Sequence, residues 1–341
     1  MARYTLSVLD QSPIAEGRSA ADALADTLDL ARHCDALGYR RYWVAEHHAS
    51  PALGGAAPEA LIGPIALATQ QIRVGSGGIM LPHYSPFKVA ETFALLSALA
   101  PNRIDLGLGR APGGDMRTML ALQRDRSRRM PLDDFPSNLA ELLAYFGEGL
   151  PEDHPFASLE DTLPSGGGMP APWLLGSSMD SALWAAEAGL PYCFADFINR
   201  DGAPIAAEYR KRFTPSVHGE APHVMVASWT IAADDSETAI RLGKPAAMLG
   251  ALLHRNVLIP VPTLETAESW IADNPGALDA RRRRAILGTP AEVHAELDAV
   301  AAEYEADEMM LVNIMADHDA RKHSYSLVAG EYGLAKHGEA A

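Results

Sequence analysis

The sequence predicts an α/β fold of the (β/α)8 TIM-barrel kind. Three observations point there: eight short β-branched or aromatic runs, amphipathic helical stretches between them, and no Gly-rich linker that would split the chain into domains. The runs cover 5–9, 42–45, 72–75, 104–108, 173–175, 192–195, 224–231 and 309–314. The helical stretches carry their own punctuation. Ser19, with Asp22 three residues on, opens a stretch that aligns Leu24, Leu28 and Ala31 on one face and closes at Gly38. Ser85 and Pro86 open another, with Val89, Phe93, Leu96 and Ala100 as its apolar face. Thr289, Pro290, Ala291 and Glu292 open a third, carrying Val293, Leu297 and Val300. Strict strand–helix alternation requires parallel strands with helices outside, and closure into a barrel suits eight repeats better than an open sheet.

A barrel of this kind takes roughly 250 residues, so a chain of 341 residues carries a surplus, and it falls in two places. One insertion follows the fourth strand, where 147–172 is dense in Pro and Gly. The other follows the seventh, at about 234–288, and includes Ile259-Pro260-Val261-Pro262 and a basic run at 281–284. The second reads either as a lid over the carboxyl ends of the strands or as a surface excursion with a solvated basic face. The whole of 1–341 is expected to form a single domain.

Composition narrows the function. An apolar share of 48% with 21% charged residues describes a globular chain with a large core. The 28 Lys and Arg against 44 Asp and Glu give a formal charge of −16, which opposes nucleic acid and anionic membrane surfaces as partners. Cys34 and Cys193 are the only cysteines, too few for a disulfide framework or a thiolate metal site. No 18-residue apolar stretch or signal-peptide pattern is present, so the expected location is the cytoplasm and the expected partner a diffusible small molecule.

Candidate chemistry gathers at strand ends. Glu46-His47-His48 follows the second run, where a barrel presents side chains at its catalytic mouth, and histidine suits proton transfer near neutral pH. On an extended segment adjacent side chains alternate, so one histidine at most is expected to face the pocket. A metal site would need three or four convergent ligands; His83 and His318 have no spacing that supplies them, and none is expected. Gly75-Ser76-Gly77-Gly78 permits either an unusual turn or close approach of a flat ligand to the main chain. In 107–114 the third glycine of a dinucleotide fingerprint is replaced by Pro112, which removes that reading, while Arg110 at a strand end suits either a phosphate or an ion pair. Gly176-Ser177-Ser178 leads into a helix, where Ser177 and Asp180 read as a capping box or the free amides as an anion site. Neither a P-loop nor a G-x-S-x-G motif occurs.

Taken together, Trp43-Val44-Ala45-Glu46-His47-His48, 74–82, 103–114, Leu175-Gly176-Ser177-Ser178, 288–293 and 307–312 make the chain resemble the bacterial-luciferase-like flavin-dependent monooxygenases over nearly its whole length. The resemblance implies a (β/α)8 barrel that binds reduced FMN, supplied by a separate flavin reductase, and uses O2 as cosubstrate to oxygenate a small or medium organic molecule. It implies a non-proline cis peptide at Gly77-Gly78 against the flavin ring, with Met80 beside it. It gives the FMN phosphate to Arg110, Gly176, Ser177 and Ser178, and the acid–base role to His47. Asp10, Glu46, His48 and His83 are then expected around the substrate pocket, and a homodimer as the assembly. Two alternatives stay open: F420-dependent hydride transfer on the same fold, and a non-catalytic flavin-binding accessory protein. The basic stretch 116–130, with Arg117, Arg124, Arg126, Arg128 and Arg129, could assist the flavin or form a solvated helix.

Overall fold

A computed structural model describes residues 4–110, 116–123, 134–278 and 285–335. Parallel strands form a closed ring in the order β1 (Thr5–Asp10), β2 (Arg41–Val44), β3 (Arg73–Met80), β4 (Ile104–Gly109), β5 (Ala171–Gly176), β6 (Tyr192–Ala195) and β7 (Val224–Ala232). The ring closes through β9 (Glu308–Val312), which pairs with β7 on one side and β1 on the other. The expected eight-stranded TIM barrel is therefore present.

One strand was not foreseen. The eighth sequence run is β9, because a further strand, β8 (Ala285–Gly288), lies inside 234–288 and pairs with the carboxyl half of β7, Trp229 opposite Ala285 through Ala232 opposite Gly288. Four residues ending in glycine carry too little β-branched content to register as a strand. The same excursion holds α8 (Ser236–Leu253) and α9 (Leu264–Asp273). Residues 111–115, 124–133 and 279–284 lie outside the described ones, and with them Arg124, Arg126, Arg128, Arg129 and the basic run at 281–284.

Helix punctuation follows the sequence closely. Ser19 and Asp22 form a reciprocal capping box on α1 (Ala20–Leu37), and Gly38 ends it at φ 86°. Thr289 and Glu292 do the same for α10 (Pro290–Tyr304). Side chains alternate along each strand, which separates two apolar layers. Leu6, Val8, Tyr42, Val44, Met309 and Leu311 face outward into the core beneath the helices. Leu9, Trp43, Trp173, Met225, Met310 and Val312 fill the barrel itself.

The amino end of the barrel is plugged by charge. Arg41 donates to Asp105 at 2.7 Å and to Glu308 at 3.0 Å, and Arg73 donates to Asp105 at 2.8 Å. Trp43 Nε1 adds a 2.9 Å bond to Asp105, Ser7 donates to Glu308, and the Arg41 guanidinium lies over Trp173. Burial opposes these charges, and the Arg41 guanidinium holds the Glu308 carboxyl below its ordinary range.

Candidate active site

At the carboxyl end of the barrel the regular strand stops before the chemistry starts. β2 ends at Val44; Ala45 then bonds Asp10 O, and His47 bonds Gly55 O. The alternation rule no longer applies there, so His47 and His48 both line one cleft of about 450 Å3, contrary to the expectation that only one would. Gln11, Phe197, Trp229 and Leu249 also form its walls, and among the described residues no Lys, Arg, Asp or Glu lines it.

The two histidines differ in their partners. His48 Nε2 lies 2.6 Å from Glu46 Oε1, and its ring stands edge-on to His83 at 5.9 Å. His47 Nδ1 is buried without a hydrogen-bond partner. Burial, with the neighbouring His48, lowers the His47 pKa to about 4, so the ring is neutral near pH 7. A buried nitrogen with no partner costs stability unless a ligand engages it.

Glu46 stands behind this pair. Its carboxylate, 2% exposed, accepts from His48, from Tyr84 Oη at 3.1 Å and from the Met80 amide at 2.9 Å. It thus ties the tip of β2 to the tip of β3. The Gly77-Gly78 peptide just before Met80 is cis. The reason for glycine here is internal: a Cβ on Gly77 would sit 2.5 Å from Leu9 Cδ1, and one on Gly78 would sit 2.7 Å from Gly107 O. At Gly78 the facing backbone of Gly107 leaves no room for a side chain, and at Gly77 the Leu9 side chain would have to shift to admit one.

Asp10 does not reach the cleft. It shares the outward face of β1 with Leu6 and Val8, and there pairs with Arg321 of α11 (His318–Tyr332) at 2.7 Å while accepting from Tyr42 and from Ser12 N. The alternation along β1 would have assigned it outward. Its Ser12 bond nevertheless shapes the turn that carries Gln11 into the cleft.

A second cluster forms at the tips of β4 and β5. Arg110 follows β4, places its guanidinium 5.0 Å over the Trp184 ring and comes within 3.8 Å of Asp180, in the first turn of α6 (Met179–Glu187). That helix is capped by Ser178 toward Ser181, so the Ser177–Asp180 capping box does not form. Ser177 O accepts instead from Asn199 Nδ2 at 3.0 Å. The loop after β6 thereby joins both regions, since Phe197 and Ile198 line the cleft while Asn199 braces the start of α6. Gly176 packs against Ser181.

The sequence reading missed Gln11, Phe197, Trp229 and Leu249 in the cleft. Gln11 stands at a strand tip, a signal that was available; Leu249 lies on α8, and nothing local marks it. Among the described residues, no group of three His, Cys, Asp or Glu could hold a metal, and no helix is long and apolar enough to cross a membrane.

Comparison with known proteins agrees with this architecture. The family of luciferase-like monooxygenases matches residues 4–307. A luciferase-like monooxygenase of Escherichia coli strain K12 is 40% identical over 94% of this chain and 95% of its own. The N-acetyl-S-alkylcysteine monooxygenase of Bacillus subtilis is 36% identical over 97% and 99%. Among solved structures, apo-MsnO8 is 36% identical with a TM-score of 0.89 over 98% of this chain and 99% of its own. The oxygenating constituent of 3,6-diketocamphane monooxygenase, in complex with FMN, shares the fold at 18% identity and a TM-score of 0.71 over 97% and 98%. With its closed barrel, its mouth of strand tips and this near-complete coverage, the chain belongs to the luciferase-like monooxygenase family of enzymes.

Proposed function

We propose that the protein is an FMN-dependent monooxygenase, which receives reduced FMN from a separate reductase, works as a homodimer in the cytoplasm, and oxygenates a small or medium organic substrate. The observation that carries the reading is the buried Nδ1 of His47, without a hydrogen-bond partner among the described residues, in the wall of a cleft that no described Lys, Arg, Asp or Glu lines. The donors beside it fit a phosphorylated flavin. Among the described residues Arg110 makes one ion pair, long at 3.8 Å, beside its stacking on Trp184, and it stands next to the amino end of α6 and its serines, a setting that favours an anion. A structural neighbour in complex with FMN supports the same choice.

Bound reduced flavin would supply the activation of O2. The chain's own residues do the rest. Arg110, Ser177, Ser178 and the α6 amides hold the phosphate, while Glu46 fixes the Met80 amide and so the position of the β3 tip. Neutral His47 accepts or returns a proton at Nδ1. The apolar walls, Phe197, Trp229 and Leu249, exclude water that would divert the reaction. The excursion 234–288 acts as the cleft's cover, since α8 contributes Leu249 to its wall.

Anaerobic titration with reduced FMN and with F420, followed by admission of O2, tests the assignment. Reduced FMN should bind more tightly, and oxygen should be consumed. Arg110→Ala should weaken FMN by about 1.5–3 kcal/mol, the scale of a charged hydrogen bond. A preference for F420 without oxygen uptake would replace the reading with hydride transfer.

A further inference from the structure

Three consecutive polar residues lead out of β1, and all are buried: Asp10 and Ser12 are inaccessible, and Gln11 is 6% exposed. Two of them use their side chains inside the fold. Asp10 pairs with Arg321 and accepts from Tyr42 and Ser12 N, while Ser12 Oγ accepts from Thr27 at 2.8 Å. Ser12 sits at φ 50°, and its carbonyl accepts from Gly54 N at 2.8 Å. The backbone is therefore pinned on both sides of Gln11.

Gln11 itself differs. Its carboxamide makes no hydrogen bond with any described residue, and it lines the same cleft as His47. Donor and acceptor both lack a partner, which costs more than an apolar side chain of that size would at a buried position. Its place in the ring says what it faces. β1 pairs with β2, so Gln11 stands beside the strand tip that carries His47. β1 is opposite β5 in the ring, which sets Arg110 and the serines at the start of α6 across the mouth from it.

We infer that Gln11 orients the substrate through an amide-type group, an acceptor and a donor side by side as in a primary amide or a lactam, next to His47. A ketone or an ester would engage only one end of the carboxamide. An ion would gain no countercharge from Gln11 or from the neutral His47 ring. The inference rests on the monooxygenase reading for the word substrate, whereas the hydrogen-bonding site does not. A flavin ring also carries a carbonyl beside an N–H, so flavin affinity serves as the control.

Isothermal titration of the flavin-free full-length protein with hexanamide and with 2-heptanone, which differ by an NH2 in place of a methyl, reads the site apart from turnover. Gln11 offers the amide two hydrogen bonds and the ketone one. Gln11→Leu should therefore lower the ratio of their affinities about fivefold to tenfold, the value of one bond. Reduced FMN should bind this variant as it binds the wild type. The denaturant midpoint should hold or rise, because leucine removes an unpaired buried amide. Gln11→Met should give the same ratio and covers the case in which the leucine variant fails to fold. An unchanged ratio, no binding of hexanamide to the wild type, or a lowered midpoint in both variants would overturn the inference. So would a loss of FMN affinity as large as that of hexanamide, which would give Gln11 to the cofactor. If the wild type binds no flavin, the monooxygenase reading fails while the amide-to-ketone ratio still reports on Gln11.

Discussion

The two ends of this barrel treat buried polar groups in opposite ways. At the amino end, Asp105 accepts from Arg41, Trp43 and Arg73, and Glu308 from Arg41 and Ser7. At the carboxyl end His47 keeps a buried nitrogen with no partner among the described residues, directly after Glu46, whose carboxylate accepts from His48, Tyr84 and the Met80 amide. The contrast teaches where the fold is consolidated and where it is held open: the plug pairs its carboxylates with cations, and the mouth sets a buried, unpartnered nitrogen in the wall of a cleft.

The sharpest way to break the comparison is at the plug. Asp105→Ala leaves the buried Arg41 and the half-buried Arg73 short of an acceptor and should cost about 3–5 kcal/mol in denaturant unfolding. A loss below about 1 kcal/mol would mean that the amino end does not consolidate the barrel. At the mouth the reverse is expected. His47→Ala should lower oxygenation by about 10²-fold or more while moving the unfolding midpoint little, and FMN should bind nearly as before. Unchanged turnover, or a collapse in stability, would erase the distinction between the two ends.

Acid sharpens it further, with a smaller effect. The folded pKa of His47 is lowered from 6.5 to about 4, so the unfolded chain takes up this proton first. The stability held above pH 6.5 is then lost as the pH falls toward 4. The variant His47→Gln should lose about 1–3 kcal/mol less than the wild type over that window, by the linkage between pKa and stability. Unfolding curves at several pH values, with ring-nitrogen NMR on the wild type, measure both. Titration of the ring near pH 6.5 would show that His47 is solvated.

Much of this was legible in the residues, for identifiable reasons. Period-2 and helical patterns located the strands of the ring, and the Ser19 and Thr289 caps gave helix starts because the capping chemistry is local. Glu46, His47 and His48 were found because strand tips are where a barrel assembles chemistry. What failed was nonlocal. β8 is recognisable only beside β7, the packing of Gly77 against Leu9 spans the barrel, and the partner that turns Asp10 away from the cleft, Arg321, lies more than three hundred residues away. The place of Leu249 in the cleft wall is likewise invisible in a helix that reads as merely apolar.

β8 lies outside the hydrogen-bonded circle, which passes from β7 straight to β9 and on to β1. The excursion that ends in β8 is therefore an exchangeable cassette. Lengthening, shortening or reshaping it would change the wall that α8 lends to the cleft without opening the circle, while the strand tips that carry Glu46 and Arg110 stay in place.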